Sequence, residues 1–225
     1  MNYRIIGDTV PAVEMLLNSG ESVFSQKGGM VWQTEGIQMK TNTNGGIMKG
    51  IGRMFSGESL FMNTYEATKD NAVIAFGSTV PGKIMPINLS EQPGIIAQKG
   101  AFLCAETGVN LRVTLTKKLG AGLFGGEGFI LQDISGNGMA FLEIDGDVVE
   151  KELQPGEVIL VDTGNIVAFD KTCSYEVTTV KGVKNVLFGG EGLFLTKVVG
   201  PGKVILQTQN FYDFAHRIIG LMPSK

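Results

Sequence analysis

Glu58, Glu127 and Glu191 are the carboxylates that recur at one place in a motif written three times along the chain. A functional reading would gather the three around a pseudo-threefold axis as an acidic ring. The motif is LFGGEG, unchanged at Leu123 to Gly128 and at Leu187 to Gly192. A looser copy, MFSGES, spans Met54 to Ser59. A carboxylate flanked by glycines where a strand begins can also accept N–H bonds from its own turn, and a group needed in every copy is more often structural than catalytic. We read these three as repeated structural carboxylates.

The remaining candidates for chemistry weaken on inspection. His216 is the one histidine, so no histidine-rich metal centre can be built, and a Ser-His-acid triad would have to use it with no nucleophile elbow in front. It reads as a surface or capping residue. Gly120, Gly122 and Gly125 spell G-x-G-x-x-G, but a strand pattern follows where a dinucleotide site needs a helix N-terminus. The glycines between Gly45 and Arg53 lack the Lys-Ser/Thr ending of a phosphate loop. Cys104 and Cys173 occupy non-equivalent places and read as buried free thiols, and the lone Trp32 reads as core. The sequence points to no catalytic residue, metal or cofactor.

The loops entering the motif are more suggestive. Lys49, Arg53 and Phe55 stand in the first, Lys118, Leu123 and Phe124 in the second, and Lys184, Leu187 and Phe188 in the third. Symmetry would gather these basic and apolar tips on one face. Such a face could meet an anionic membrane or a partner. The alternative is that the tips bury against one another or in a subunit interface, because large bare apolar patches invite association.

The elements that position these residues follow from the spacing. Met54 to Leu123 is 69 residues and Leu123 to Leu187 is 64, the length of a small domain and not of a solenoid repeat. A lone module of that size would be marginal, so the copies are expected to pack as one body. The chain has 225 residues, 43% apolar and 18% charged, with 32 glycines, about twice the usual roughly 7%. Short alternating runs punctuated by turns spell β-meanders. Gln26-Lys27-Gly28 matches Gln98-Lys99-Gly100, and Gln92-Pro93-Gly94 matches Gln154-Pro155-Gly156. Residues 1–10 read as a strand pairing with the first module. One helix is expected near the end, capped by Asn210, with Phe211, Phe214, Ala215 and Ile218 on one face, closing an end of the β core.

The predicted fold class is therefore all-β: three tandem antiparallel β modules of double-stranded β-helix or sandwich type with pseudo-threefold symmetry and a short C-terminal helix. The expected boundaries are 1–90 with the N-terminal strand, 91–153, and 154–225 with the helix. A net charge of −3 opposes a broad nucleic-acid footprint. With no apolar run long enough to span a bilayer and no leader pattern at the start, the expected location is cytoplasmic, with peripheral membrane contact as an option.

The blocks GESVFSQKGGMVW, GESLFMN, QKGAFLCAETGV, LGAGLFGGEGF, QPGEVILVDTG and LFGGEGLFL together resemble the bacterial members of the altered-inheritance-of-mitochondria family, in order and spacing, over nearly the whole chain. The resemblance implies three antiparallel β units, each like the subunit of the tryptophan RNA-binding attenuation protein. It implies no enzyme activity and supplies no catalytic residues. That protein's tryptophan and RNA sites are not carried over, since a shared fold does not fix function. The reading that results is a non-catalytic binding or scaffolding protein that self-associates or meets a membrane-linked partner. The alternative is a small-ligand binder or enzyme using a cleft between modules. A single-stranded nucleic-acid binder is a third option, with only Phe55, Phe124 and Phe188 suitably placed.

Overall fold

A computed structural model describes residues 1–41, 55–56, 62–117, 128–179 and 194–222. In chain order the first strands are β1 (Asn2–Ile6), β2 (Ala12–Leu17), β3 (Ser22–Gln26), β4 (Met30–Gln33), β5 (Ile37–Thr41), β6 (Phe55–Ser56), β7 (Met62–Ala67), β8 (Ala72–Gly77) and β9 (Gly82–Asn88). Then come β10 (Ile95–Gln98), β11 (Phe102–Glu106), β12 (Val109–Lys117), β13 (Phe129–Gly136), β14 (Met139–Asp145) and β15 (Val148–Leu153). The last are β16 (Val158–Asp162), β17 (Ile166–Asp170), β18 (Ser174–Thr179), β19 (Phe194–Val199) and β20 (Gly202–Gln207), followed by helix α1 (Phe211–Gly220). The fold is all-β with one short terminal helix, as the repeat and turn pattern predicts.

The chain divides into two compact units. The first comprises Met1–Gly94, Gly100–Val113 and Asp133–Ile144. Its four-stranded sheet runs β1-β2-β8-β4, and its six-stranded sheet runs β5-β7-β3-β11-β14-β9. The N-terminal strand pairs as expected: β1 lies antiparallel to β2, from Asn2 opposite Leu16 to Ile6 opposite Ala12. Alternation along β2 sends Val13, Met15 and Leu17 inward to meet Tyr65, Ile74, Phe76 and Phe141 in one buried cluster. Tyr65 meets Phe76 edge-on at 5.5 Å, a geometry the ring quadrupoles favour.

The second unit comprises Ile95–Lys99, Thr114–Gln132 and Asp145–Lys225. One sheet places β15, β20, β17, β10 and β13 in that order, and a three-stranded sheet runs β16-β19-β18. Phe129, Leu131, Ile166, Phe169, Val198 and Val204 fill its core.

The two Gln-Pro-Gly turns match as their sequences require, whereas Gln98-Lys99-Gly100 runs into a 3-10 turn in which Gly100 does not share the positive φ of Gly28. Gly28, Gly94 and Gly156 all take positive φ, at 91°, 109° and 79°, where only glycine is unstrained. The strand that follows Gln98 begins after a 3-10 turn at Lys99–Ala101, and the matching turn in the last repeat is Thr163–Asn165. Both cysteines are buried free thiols, as the sequence implies.

The structure corrects two further expectations. Trp32 is not core: it is 40% exposed on β4, an edge strand, and its indole N–H donates to Glu14 at 3.3 Å. An aromatic on an edge strand with its N–H on a carboxylate is not distinguished by composition alone from a buried one. The helix does not close the β core either. Asn210 caps it, accepting the Tyr212 N–H at 3.0 Å, yet none of its residues is buried.

Candidate functional site

Two regions join linked polar side chains to exposed apolar surface, and the first is α1 with the polar seat that holds it in the second unit. The seat starts from Asp145, at the end of β14, whose Oδ2 accepts the N–H of Phe211, the first helical residue, at 2.8 Å. A carboxylate there satisfies a donor that the helix cannot satisfy itself, and it faces the positive end of the helix dipole. The Asp145 N–H in turn donates to Gln207 Oε1 at 3.0 Å, while Gln207 Nε2 donates to the Gly164 carbonyl at 2.9 Å. Asn165 Nδ2 closes the ring on the Gln207 carbonyl at 2.8 Å.

Gly164 is fixed by its neighbour. A Cβ there would run into the Asn210 amide, so glycine lets the cap approach the 3-10 turn. Asn210 Nδ2 also donates to Asp213 Oδ2 at 3.2 Å, which completes the first turn of the helix. Four residues after β20, the chain is thus committed to one helix direction.

Loss of water around Asp145 pushes its carboxyl above its ordinary value of 3.8, and the Phe211 N–H offsets this in part. A raised folded-state pKa means that the folded chain holds this proton more tightly than the unfolded chain. The group's contribution to stability is then fullest below the unfolded value and is lost as pH rises through the folded value. Asp145→Asn keeps an oxygen for Phe211 and removes that titration. We expect urea unfolding of the variant to show no loss of stability at neutral pH, and a smaller decline than wild type as pH rises from about the ordinary carboxylate range.

A second polar group stands out. Gln132, on β13, is 0% exposed, and neither its amide oxygen nor its nitrogen has a hydrogen-bond partner. The aligned residue of the last repeat, Thr196, is equally buried but shares a bond with Thr163 Oγ1 at 3.1 Å.

In the first unit, the outer face of the four-stranded sheet carries a linked row. Arg4 pairs with Glu14 at 2.6 Å, and Glu14 also takes the Trp32 N–H. Their strand partners place Arg4, Glu14, Ala75 and Trp32 side by side. Glu143, on β14 of the six-stranded sheet, accepts from the Thr79 N–H at 2.9 Å and its hydroxyl at 2.6 Å. Burial, with Glu143 nearby, pushes the Cys104 thiol well above its usual range, so it is a packing group and not a nucleophile.

A family model described as mitochondrial biogenesis AIM24 matches residues 3–209. The chain belongs to the AIM24 family. It is 29% identical over 222 residues to an uncharacterised protein of Streptococcus pyogenes serotype M6, covering 95% of this chain and 88% of that one. A crystal structure of a Streptococcus pyogenes protein superimposes with a TM-score of 0.79 at 25% identity, covering 98% of this chain and 99% of the other. AIM24 membership thus agrees with the resemblance read from the sequence blocks. The match stops at residue 209, so α1 lies just beyond the part that the family model covers.

Of the residues singled out by sequence, Lys49, Arg53, Glu58, Lys118, Leu123, Phe124, Glu127, Lys184, Leu187, Phe188 and Glu191 lie outside the described residues, as do Gly120, Gly122 and Gly125. Phe55 is described only as part of β6, whose partner is β12, in parallel, with Leu111 opposite Phe55. His216 is half-buried on α1. Among the described residues no group of three or more His, Cys, Asp or Glu is placed to hold a metal ion, and no helix is long and apolar enough to cross a membrane. Sequence reasoning missed Asp145 and Gln132. The first is joined to the helix across 66 positions, and nothing near it in sequence marks that contact.

Proposed function

We propose that this AIM24 chain is a non-catalytic binding or scaffolding protein that works by self-association through its first unit. The observation that carries the reading is the outer face of the four-stranded sheet, where Ile6, Leu16 and Trp32 are all exposed. Period-two alternation puts Ile6 with Arg4, and Leu16 with Glu14, on the same side as Trp32. The sheet also ends in β1, whose five residues are all exposed and whose outer edge has no neighbouring strand among the described residues. Bare apolar sheet surface beside an open edge is what a second copy covers in a symmetric dimer.

Light scattering at micromolar concentration is expected to give a mass above that of one chain, and Leu16→Ser with Trp32→Ser is expected to return it to one. Trp32 is the lone tryptophan, so acrylamide quenching reads the same face. Quenching should rise on dilution, as the copies part. A single-chain mass at every concentration would remove this reading.

A small-ligand site is favoured instead by one observation, the unpartnered amide of Gln132. An orphan buried amide costs about 1–3 kcal/mol, whereas an apolar residue of similar shape is near neutral or stabilising. With no ligand, Gln132→Leu is expected to raise the unfolding midpoint in urea. A fall, together with a small molecule released on denaturing the wild type and missing from the variant, would favour the ligand reading.

A further inference from the structure

Helix α1 leaves its apolar half uncovered. At about 3.6 residues per turn, Phe211, Phe214, Ala215 and Ile218 form one stripe, with Tyr212 and Ile219 along its flank. Phe214 is 47% exposed and Ile219 62%, and the stripe continues past the last turn into Leu221 at 86%. Asp213 stands opposite the middle of that half, and His216 and Arg217 stand to either side of Asp213.

We propose that α1 lies flat in the headgroup region of an anionic lipid surface, with its apolar half among the acyl chains and Arg217 at the phosphates. Three observations point to lipid. A helix seated on a protein core needs an apolar stripe only about 100° wide, whereas here about half the circumference is apolar. The order of charges fits a negative surface: the acid is farthest from the apolar half, while the arginine lies near its border, where a long stem can reach headgroups. Finally, the Asp145 and Asn210 bonds fix the start of the helix, so its apolar side is presented in a set orientation and does not trail on a tether.

Packing α1 against α1 of a second copy would bury only a seam, leaving Tyr212 and Ile219 wet, and it assigns no purpose to the charge order. The lipid contact is argued from the second unit alone and the self-association from the first alone, so either can fail without the other.

The test is co-sedimentation of the whole chain with vesicles of phosphatidylcholine alone and of phosphatidylcholine mixed with phosphatidylserine. Wild type is expected to partition onto the mixed vesicles. Phe214→Ser with Ile218→Ser should weaken partition about tenfold or more. Arg217→Gln should weaken it about fivefold on mixed vesicles and leave the neutral ones unchanged. These side chains are exposed, so circular dichroism should show both variants folded. The Arg217 variant decides the matter even if the serine variant does not fold. No partition by wild type, or equal partition by the serine variant, overturns the proposal. So does a mass in solution that the α1 substitutions, but not the Leu16 and Trp32 substitutions, reduce to one chain, since a second copy would then cover the helix.

Discussion

Gly136→Ala is expected to destabilise the first unit by about 4 kcal/mol, from backbone strain and a steric clash of roughly 1–3 kcal/mol each. Gly136 holds φ at 112°, and a Cβ there would strike the Gly108 carbonyl and come within 2.8 Å of Asn110 Nδ2. Neither obstacle is free to leave. The Gly108 carbonyl accepts the Asn137 N–H at 3.0 Å, and Asn137 is held by Ser90 Oγ at 2.7 Å. Two turns, one after β11 and one after β13, are therefore locked into each other with no room for a methyl group. Gly20→Ala is the control: its φ is 86°, but a Cβ there meets nothing within 4 Å. It should cost only the strain, about 1 kcal/mol. Urea unfolding of both variants beside wild type measures the difference, and equal losses would show that the clash relaxes.

Phe169→Ala is expected to cost about 3–5 kcal/mol in the second unit. Phe169 is 0% exposed, lies within the core cluster, and stacks obliquely on Tyr175 at 5.1 Å. Its removal deletes buried area and leaves a void that strands on either side, tied by their ladders, cannot close. Phe211→Ala, on the exposed helix, should change stability by no more than about 0.5 kcal/mol. The same residue type thus gives a large effect or almost none according to whether its side chain is buried.

Much of the fold can be read from the sequence because its signals are local. Alternation marks the strands, Gly94 and Gly156 mark turns that need positive φ, and Asn210 marks the helix start. Strand partnership is not local. β2 lies between β1 and β8, and β3 between β7 and β11, choices made by burial across dozens of residues that no short window contains. Trp32 is illegible for the same reason: an aromatic in an alternating strand can face either way, and here its N–H meets Glu14 on an edge strand. The helix is legible, but an apolar stripe alone does not say whether the β core covers it, and here none of its residues is buried. Asp145 was invisible, since a lone aspartate at a strand end resembles any turn residue until the chain brings Phe211 to it.

The cysteines have a use that their burial creates. Cys104 belongs to the first unit and Cys173 to the second, and both are shielded from solvent. A thiol reagent can react with each only when its own surroundings open. The chain therefore carries two internal clocks, and labelling times read separately at the two positions would tell whether the halves of the protein come apart together or in turn.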